Sequence, residues 1–94
     1  MDIERRELLL LGASELECHE VMPQIEQAIH EVNANISIRC ITNREILDSF
    51  GITQTPAIVS IDYQVISQGI VPSVEDLKQW IQSIEKMEKK RNLL

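Results

Sequence analysis

The spacing of apolar residues changes period several times along this chain, and each change marks an element. Leu8-Leu9-Leu10-Leu11 is a continuous apolar block closed by Gly12. A short uninterrupted run of this kind, bounded by glycine, predicts a buried strand, β1, over residues 6–11. Beyond it the spacing becomes three and four: Cys18, Val21, Met22, Ile25, Ala28, Ile29 and Val32. That period puts one apolar stripe on a helix, α1, running to about Asn33. Ser14 stands just before the stripe and Glu17 three residues later, the Ser-x-x-Glu arrangement in which both side chains cap the helix start. Pro23 falls inside the stripe and is expected to kink the helix, since proline lacks an N–H and crowds the preceding turn. Asn33-Ala34-Asn35 reads as a stop and turn.

The second half is built from shorter segments. Residues 36–41 alternate Ile36, Ile38 and Cys40 with Ser37, Arg39 and Ile41, the period-two pattern of a strand, β2. Thr42-Asn43 can cap a short helix, α2, through Asp48-Ser49, which Gly51 stops. Residues 57–61 are rich in β-branched side chains and predict β3. Asp62-Tyr63-Gln64 is short enough for a hairpin, so β4, residues 65–68, is expected antiparallel to β3. Pro72-Ser73 opens a last helix, α3, with Val74, Leu77, Trp80, Ile81, Ile84 and Met87 on its apolar side. The order is βαβ, helix, ββα. A βαβ unit requires a crossover, so β1 and β2 should be parallel, with α1 and α3 available to cover the faces of the sheet.

Composition narrows the picture. Ninety-four residues suffice for one core, so residues 1–94 read as a single domain, its core about 6–84 and residues 85–94 a charged helix end or tail. With only Phe50, Tyr63 and Trp80 aromatic, the core must be aliphatic. The longest apolar run is far below the ~20 residues of a membrane span, and no secretory signal pattern opens the chain, so a cytoplasmic protein without membrane contact is expected. Net charge is −6, which argues against nucleic acid as a partner. Residues 86–91 carry four cations against Glu88, a net +3, leaving −9 on the rest. A solvated helix end accounts for that basic cluster. Two cysteines do not make a disulfide framework, and His19 and His30, eleven residues apart without a Cys-x-x-Cys, give no metal site; no cofactor is implied.

Three local patterns carry a family resemblance. Cys18, in the first turn of α1, is followed five residues later by Pro23. Phe50-Gly51-Ile52-Thr53-Gln54-Thr55-Pro56-Ala57 places a proline just before an apolar strand after an aromatic-Gly-Ile segment. Gly69 is followed by a Ser-led helix bearing Leu77, Trp80 and Ile81. In order and spacing, residues 6–84 resemble the thioredoxin-like superfamily. The resemblance implies an α/β fold, βαβ-α-ββα, with a mixed four-stranded sheet and helices on both faces. It also implies a cis Thr55–Pro56 bond beside the active site and a role in cell redox homeostasis. In that family two cysteines three residues apart work as attacking and resolving thiols. Here Cys18 takes the second position, Glu15 stands where the attacking cysteine would be, and Ser14 replaces the tryptophan before it. The resemblance is therefore to a member with a degenerate active site.

A carboxylate at position 15 gains from the positive helix end but cannot attack a disulfide. Cys18 lies on the apolar stripe, where cysteine is usually inert, and Glu15, Glu17 and Glu20 oppose thiolate formation while the helix end favours it. Cys40, on the Ile36/Ile38 face, reads first as a core residue. The sequence thus points to a binding module without dithiol chemistry, holding a protein or extended peptide in a groove of Ser14, Glu15, Cys18, Thr55 and Pro56. In the family, backbone beside the proline pairs with such a strand. The rival reading is an enzyme, a thiol–disulfide oxidoreductase. In it Cys18 acts as a catalytic lone thiol, with glutathione as a further partner, or cycles with Cys40 as an atypical pair. Such a pair needs Cα atoms within ~7 Å, which parallel β2, ending near the start of α1, makes conceivable.

Overall fold

The computed structural model describes residues 6–92, with side chains through residue 84. The contribution of Met87 and of the basic cluster at 86–91 lies outside the described side chains. The elements are β1 (Glu7–Leu11), α1 (Glu15–Glu31), β2 (Ser37–Ile41), α2 (Arg44–Ser49), β3 (Ala57–Val59), β4 (Val65–Gln68) and α3 (Val74–Asn92). The four strands form one mixed sheet in the order β2-β1-β3-β4. β1 runs parallel to β2 and antiparallel to β3, and β3 is antiparallel to β4.

β1 is a central strand, and the continuous leucine block follows from that position. Leu8 and Leu10 join the core shared with Cys18, Val21, Ile25 and Ala28 of α1 and Leu77 and Ile81 of α3. Leu9 and Leu11 join a smaller core on the other face with Leu47 of α2 and Ala57 and Val59 of β3. A strand buried on both faces has no use for polar alternation. The helices cover both faces, but α1 and α3 do not divide them: among the described residues the two pack together on one face, and α2 lies on the other. Apolar stripes show that a helix is half-buried and say nothing of which side of the sheet takes it.

Local chemistry ends the helices where the sequence signals fall. Ser14, in extended backbone, accepts the Glu17 N–H at 3.2 Å, Asn43 accepts the Ile46 N–H at 3.1 Å, and Ser73 accepts the Asp76 N–H at 3.2 Å. Each satisfies an amide that the helix itself leaves unpaired. α1 runs through Pro23 as one helix to Glu31. It closes with Asn33 at φ 57°, where the Asn33 N–H bonds the His30 carbonyl and the Ala34 N–H reaches back to Ile29. α2 closes the same way: Gly51 sits at φ 71°, with its N–H on Asp48 and the Ile52 N–H on Leu47. These paired bonds are the Schellman arrangement, and its usual apolar contact is present, Ile52 packing with the core that holds Leu47. β3 stops two residues earlier than its β-branched run suggests. The chain turns at Ser60, whose carbonyl accepts the Tyr63 N–H and whose N–H bonds Gln64.

Among the described residues, one ion pair ties α1 to α3. Lys78 Nζ lies 3.1 Å from Glu31 Oε1 and 3.6 Å from a Glu75 carboxylate oxygen. Donation from the Gln27 amide, then from Lys78, holds the Glu31 carboxyl below its ordinary range. The bond to Glu31, and next the charge of Glu75, raises Lys78. The depressed Glu31 contributes stability above its unfolded value, near 4.3, and loses it as pH falls through the lower folded value. The raised Lys78 contributes below its unfolded value, near 10.4, and loses it as pH rises through the higher folded one. Both groups are solvated, so the effect is small. Glu31→Gln is expected to lower the unfolding midpoint slightly at neutral pH. The gap should close as pH falls below about 4; a gap unchanged at acid pH contradicts this account.

Candidate functional site

Parallel pairing of β1 and β2 brings the ends of both strands to one edge of the sheet, directly under the start of α1. The register sets Leu10 beside Cys40 and Leu11 beside Ile41, and the Gly12 N–H then bonds the Ile41 carbonyl at 3.0 Å. In-register neighbours share a face, so Cys40 points to the same side as Leu10, toward α1. Cys18 descends from the first turn of α1 onto that same spot. The two cysteines are joined in a disulfide, with Cα atoms 6.1 Å apart and a sequence separation of 22. Neither is a free thiol.

The two sulfurs sit differently. Cys18 is 2% exposed, with its sulfur 3.8 Å from the Leu10 carbonyl oxygen. In the disulfide that sulfur has no proton to donate; once reduced, the thiol is placed to give one to Leu10. Gly12 makes room for it: a Cβ there would stand 2.9 Å from the Cys18 sulfur and 3.3 Å from Glu17 Oε1. Glycine at the strand exit is therefore demanded by the cysteine's approach. Cys40 is only half-buried. With Glu15, Cys18, His19, Met22 and Thr42 it lines a pocket of about 210 Å³.

The cap at the helix start differs in one bond from the arrangement the sequence suggests. Ser14 accepts the Glu17 N–H, but Glu17 Oε1 accepts the N–H of Ala13, at 2.7 Å, one residue before the cap. This fixes the Glu17 carboxylate over the Gly12-Ala13 turn, beside Cys18.

Thr55–Pro56 lies at the same end of the sheet, since Ala57 pairs with Leu11. Its peptide bond is cis, and the Pro56 carbonyl accepts the Gly69 N–H at 2.9 Å. Gln68 Oε1 accepts the N–H groups of Thr53 and Gln54, fastening the loop before the proline to β4. These features make the chain's class plain: a strand feeding a helix with a cysteine in its first turn, then a hairpin entered through a cis proline at the same sheet end. A family model described as a thioredoxin domain matches residues 10–82. The chain belongs to the thioredoxin-domain family. No curated protein matches it.

Of the residues anticipated for a thioredoxin-domain groove, Glu15 and Cys18 line the pocket. Ser14, Thr55 and Pro56 share that end of the molecule but not its lining. Ser14 is spent on the helix cap, and Pro56 is held toward Gly69. His19, Met22 and Thr42 join the pocket without having been anticipated. His19 directly follows Cys18 and Thr42 follows the last β2 residue, so both come with the cysteines once the pairing of β1 and β2 is known. Among the described residues no group of three His, Cys, Asp or Glu side chains is placed to hold a metal ion, and no helix is long and apolar enough to cross a membrane.

Proposed function

We propose that this thioredoxin domain is a thiol–disulfide protein whose couple is Cys18–Cys40 instead of a Cys-x-x-Cys pair. The observation that carries the reading is the position of the bond: it spans the start of α1 and the end of β2, at the helix start where a thioredoxin domain keeps its chemistry, and both of its cysteines border a pocket. A disulfide serving only as a staple has no need of a half-buried cysteine at that end of the sheet. Glu15 occupies the position of the family's attacking cysteine, and Cys40, arriving from β2, supplies the second sulfur from another direction.

The supporting chemistry is that of exchange. A thiolate attacks one sulfur of the bond, a mixed disulfide forms, and the other sulfur leaves. The positive end of α1 stabilises a thiolate on Cys18, and Glu15, Glu17 and Glu20 oppose it. The test is equilibration of native protein in glutathione redox buffers, read by alkylation and mass. A reversible transition while the protein stays folded is expected. A bond that opens only in denaturant would make it a structural staple.

A second reading, partner binding without exchange, is favoured by a separate observation. Leu16, Ile70 and Val71 are 70%, 64% and 45% exposed. Leu16 lies in the first turn of α1, and Ile70 and Val71 leave β4 at the same end of the sheet as Thr55–Pro56. That apolar rim fits an extended peptide of a protein partner, and on this reading the domain works as a binding module with its disulfide intact throughout.

A further inference from the structure

We infer that Cys40, not Cys18, is the sulfur that exchanges with a partner thiol, and that the favoured thiol is carried on a neutral or cationic molecule. This rests on Cys18–Cys40 being a working couple.

Access decides which sulfur is attacked. Exchange requires the incoming thiolate to reach the sulfur it bonds to, so burial of one sulfur directs attack to the other. Cys18 borders the same pocket as Cys40 but is 2% exposed, with the Leu10 carbonyl and Gly12 against its sulfur. Cys40 is half-buried and opens to the pocket beside Thr42 and His19. Leaving-group chemistry points the same way. Attack at Cys40 expels Cys18, whose charge then develops in the first turn of α1, and a thiolate stabilised there leaves faster.

The step balances as follows. The partner thiolate bonds to the Cys40 sulfur and the Cys18–Cys40 bond breaks. Its electron pair goes to Cys18, which takes a proton from water and is then placed to donate to the Leu10 carbonyl. A second partner thiolate attacks the partner sulfur held on Cys40 and releases the Cys40 thiolate, which takes its proton from water. Two thiols become one disulfide, and the protein gains two electrons and two protons.

Charge at the rim sets the class of thiol. Glu15 lines the pocket, and Glu17 and Glu20 flank Cys18 in sequence. Among the described residues none of the three belongs to an ion pair with lysine or arginine. An anionic thiol is repelled by this field and a cationic one attracted, and salt weakens both effects.

The experiment uses the wild-type chain, oxidised and native, with limiting cysteamine (a cation) or 3-mercaptopropionate (an anion). Acid quench and peptide mapping then show which cysteine carries the adduct. We expect the adduct on Cys40. We expect cysteamine to react several-fold faster at 20 mM salt, after each rate is divided by that thiol's rate with an uncharged small disulfide, and the ratio to shrink toward one at 0.5 M salt. An adduct on Cys18 overturns the assignment and leaves the couple standing. No adduct on either cysteine overturns the couple and the assignment with it. Equal normalised rates at low salt overturn the thiol class alone. Cys18→Ser and Cys40→Ser give a second measurement with glutathione disulfide as oxidant. The Cys40 thiol is expected to form its mixed disulfide at least tenfold faster than the Cys18 thiol. A faster Cys18 thiol in folded Cys40→Ser counts against the proposal.

Discussion

Reducing the Cys18–Cys40 bond lowers the thermal unfolding midpoint by roughly 10–25 °C. The bond closes a loop across 22 positions of sequence and so restricts the unfolded chain far more than the folded one. Loop-closure entropy for that length corresponds to about 3 kcal/mol. For a domain of this size each kcal/mol moves the midpoint by about 4–8 °C. The fold has no obvious substitute for the lost link, because α1 and β2 otherwise meet only through side chains of the shared core. The check is a pair of melts, oxidised and in excess reductant, with Cys40→Ser as the control. The variant should melt near the reduced protein and ignore reductant. A shift below about 3 °C would mean the unfolded chain gains little from release of the bond. The same linkage bears on the proposed chemistry: whatever the bond adds to stability, folding returns as resistance of the bond to reduction.

Leu10→Ala is expected to cost about 3–4 kcal/mol, the largest loss from any single truncation near the site. Leu10 is fully buried in the central strand. Its in-register neighbours are Cys40 on β2 and Ile58 on β3, so its side chain sits between the disulfide and the main core. Removing three carbons there loses their burial and leaves a void that strands paired on both sides cannot close. Urea unfolding should show a lowered midpoint with an unchanged slope, the sign of lost stability in an unaltered transition. Leu16→Ala is the contrast. Leu16 is 70% exposed, and its loss should stay within about 0.5 kcal/mol. If the two variants differ by less than about 1 kcal/mol, the two-sided burial of β1 is not the main source of this domain's stability.

Much of the architecture was legible because it is written in local chemistry. The leucine block, the three-and-four stripe of α1, the three caps at Ser14, Asn43 and Ser73, and the stops at Asn33 and Gly51 each act within a few residues, and the structure holds them where the pattern predicts. The site was legible only in part. Cys18 could be placed in the first turn of α1, and Cys40 near the end of β2. Core packing was the preferred expectation for both, with a bridge only conceivable. The bond depends on the register of β2 against β1, where a slip of one residue would turn Cys40 to the α2 face. Similarly, Thr55–Pro56 could be assigned to the correct end of the sheet, but not excluded from the pocket's lining.

By itself the sequence determined the elements, their order and the family, because periodicity, caps and turn residues need only near neighbours to act. The tertiary structure alone decided that α1 and α3 share a face and that Leu10, Cys18 and Cys40 meet. It also left Cys18 buried and Cys40 half-buried at one pocket. Those outcomes rest on strand register and on which side of a sheet a helix lands, and both are settled by contacts between residues far apart in the chain.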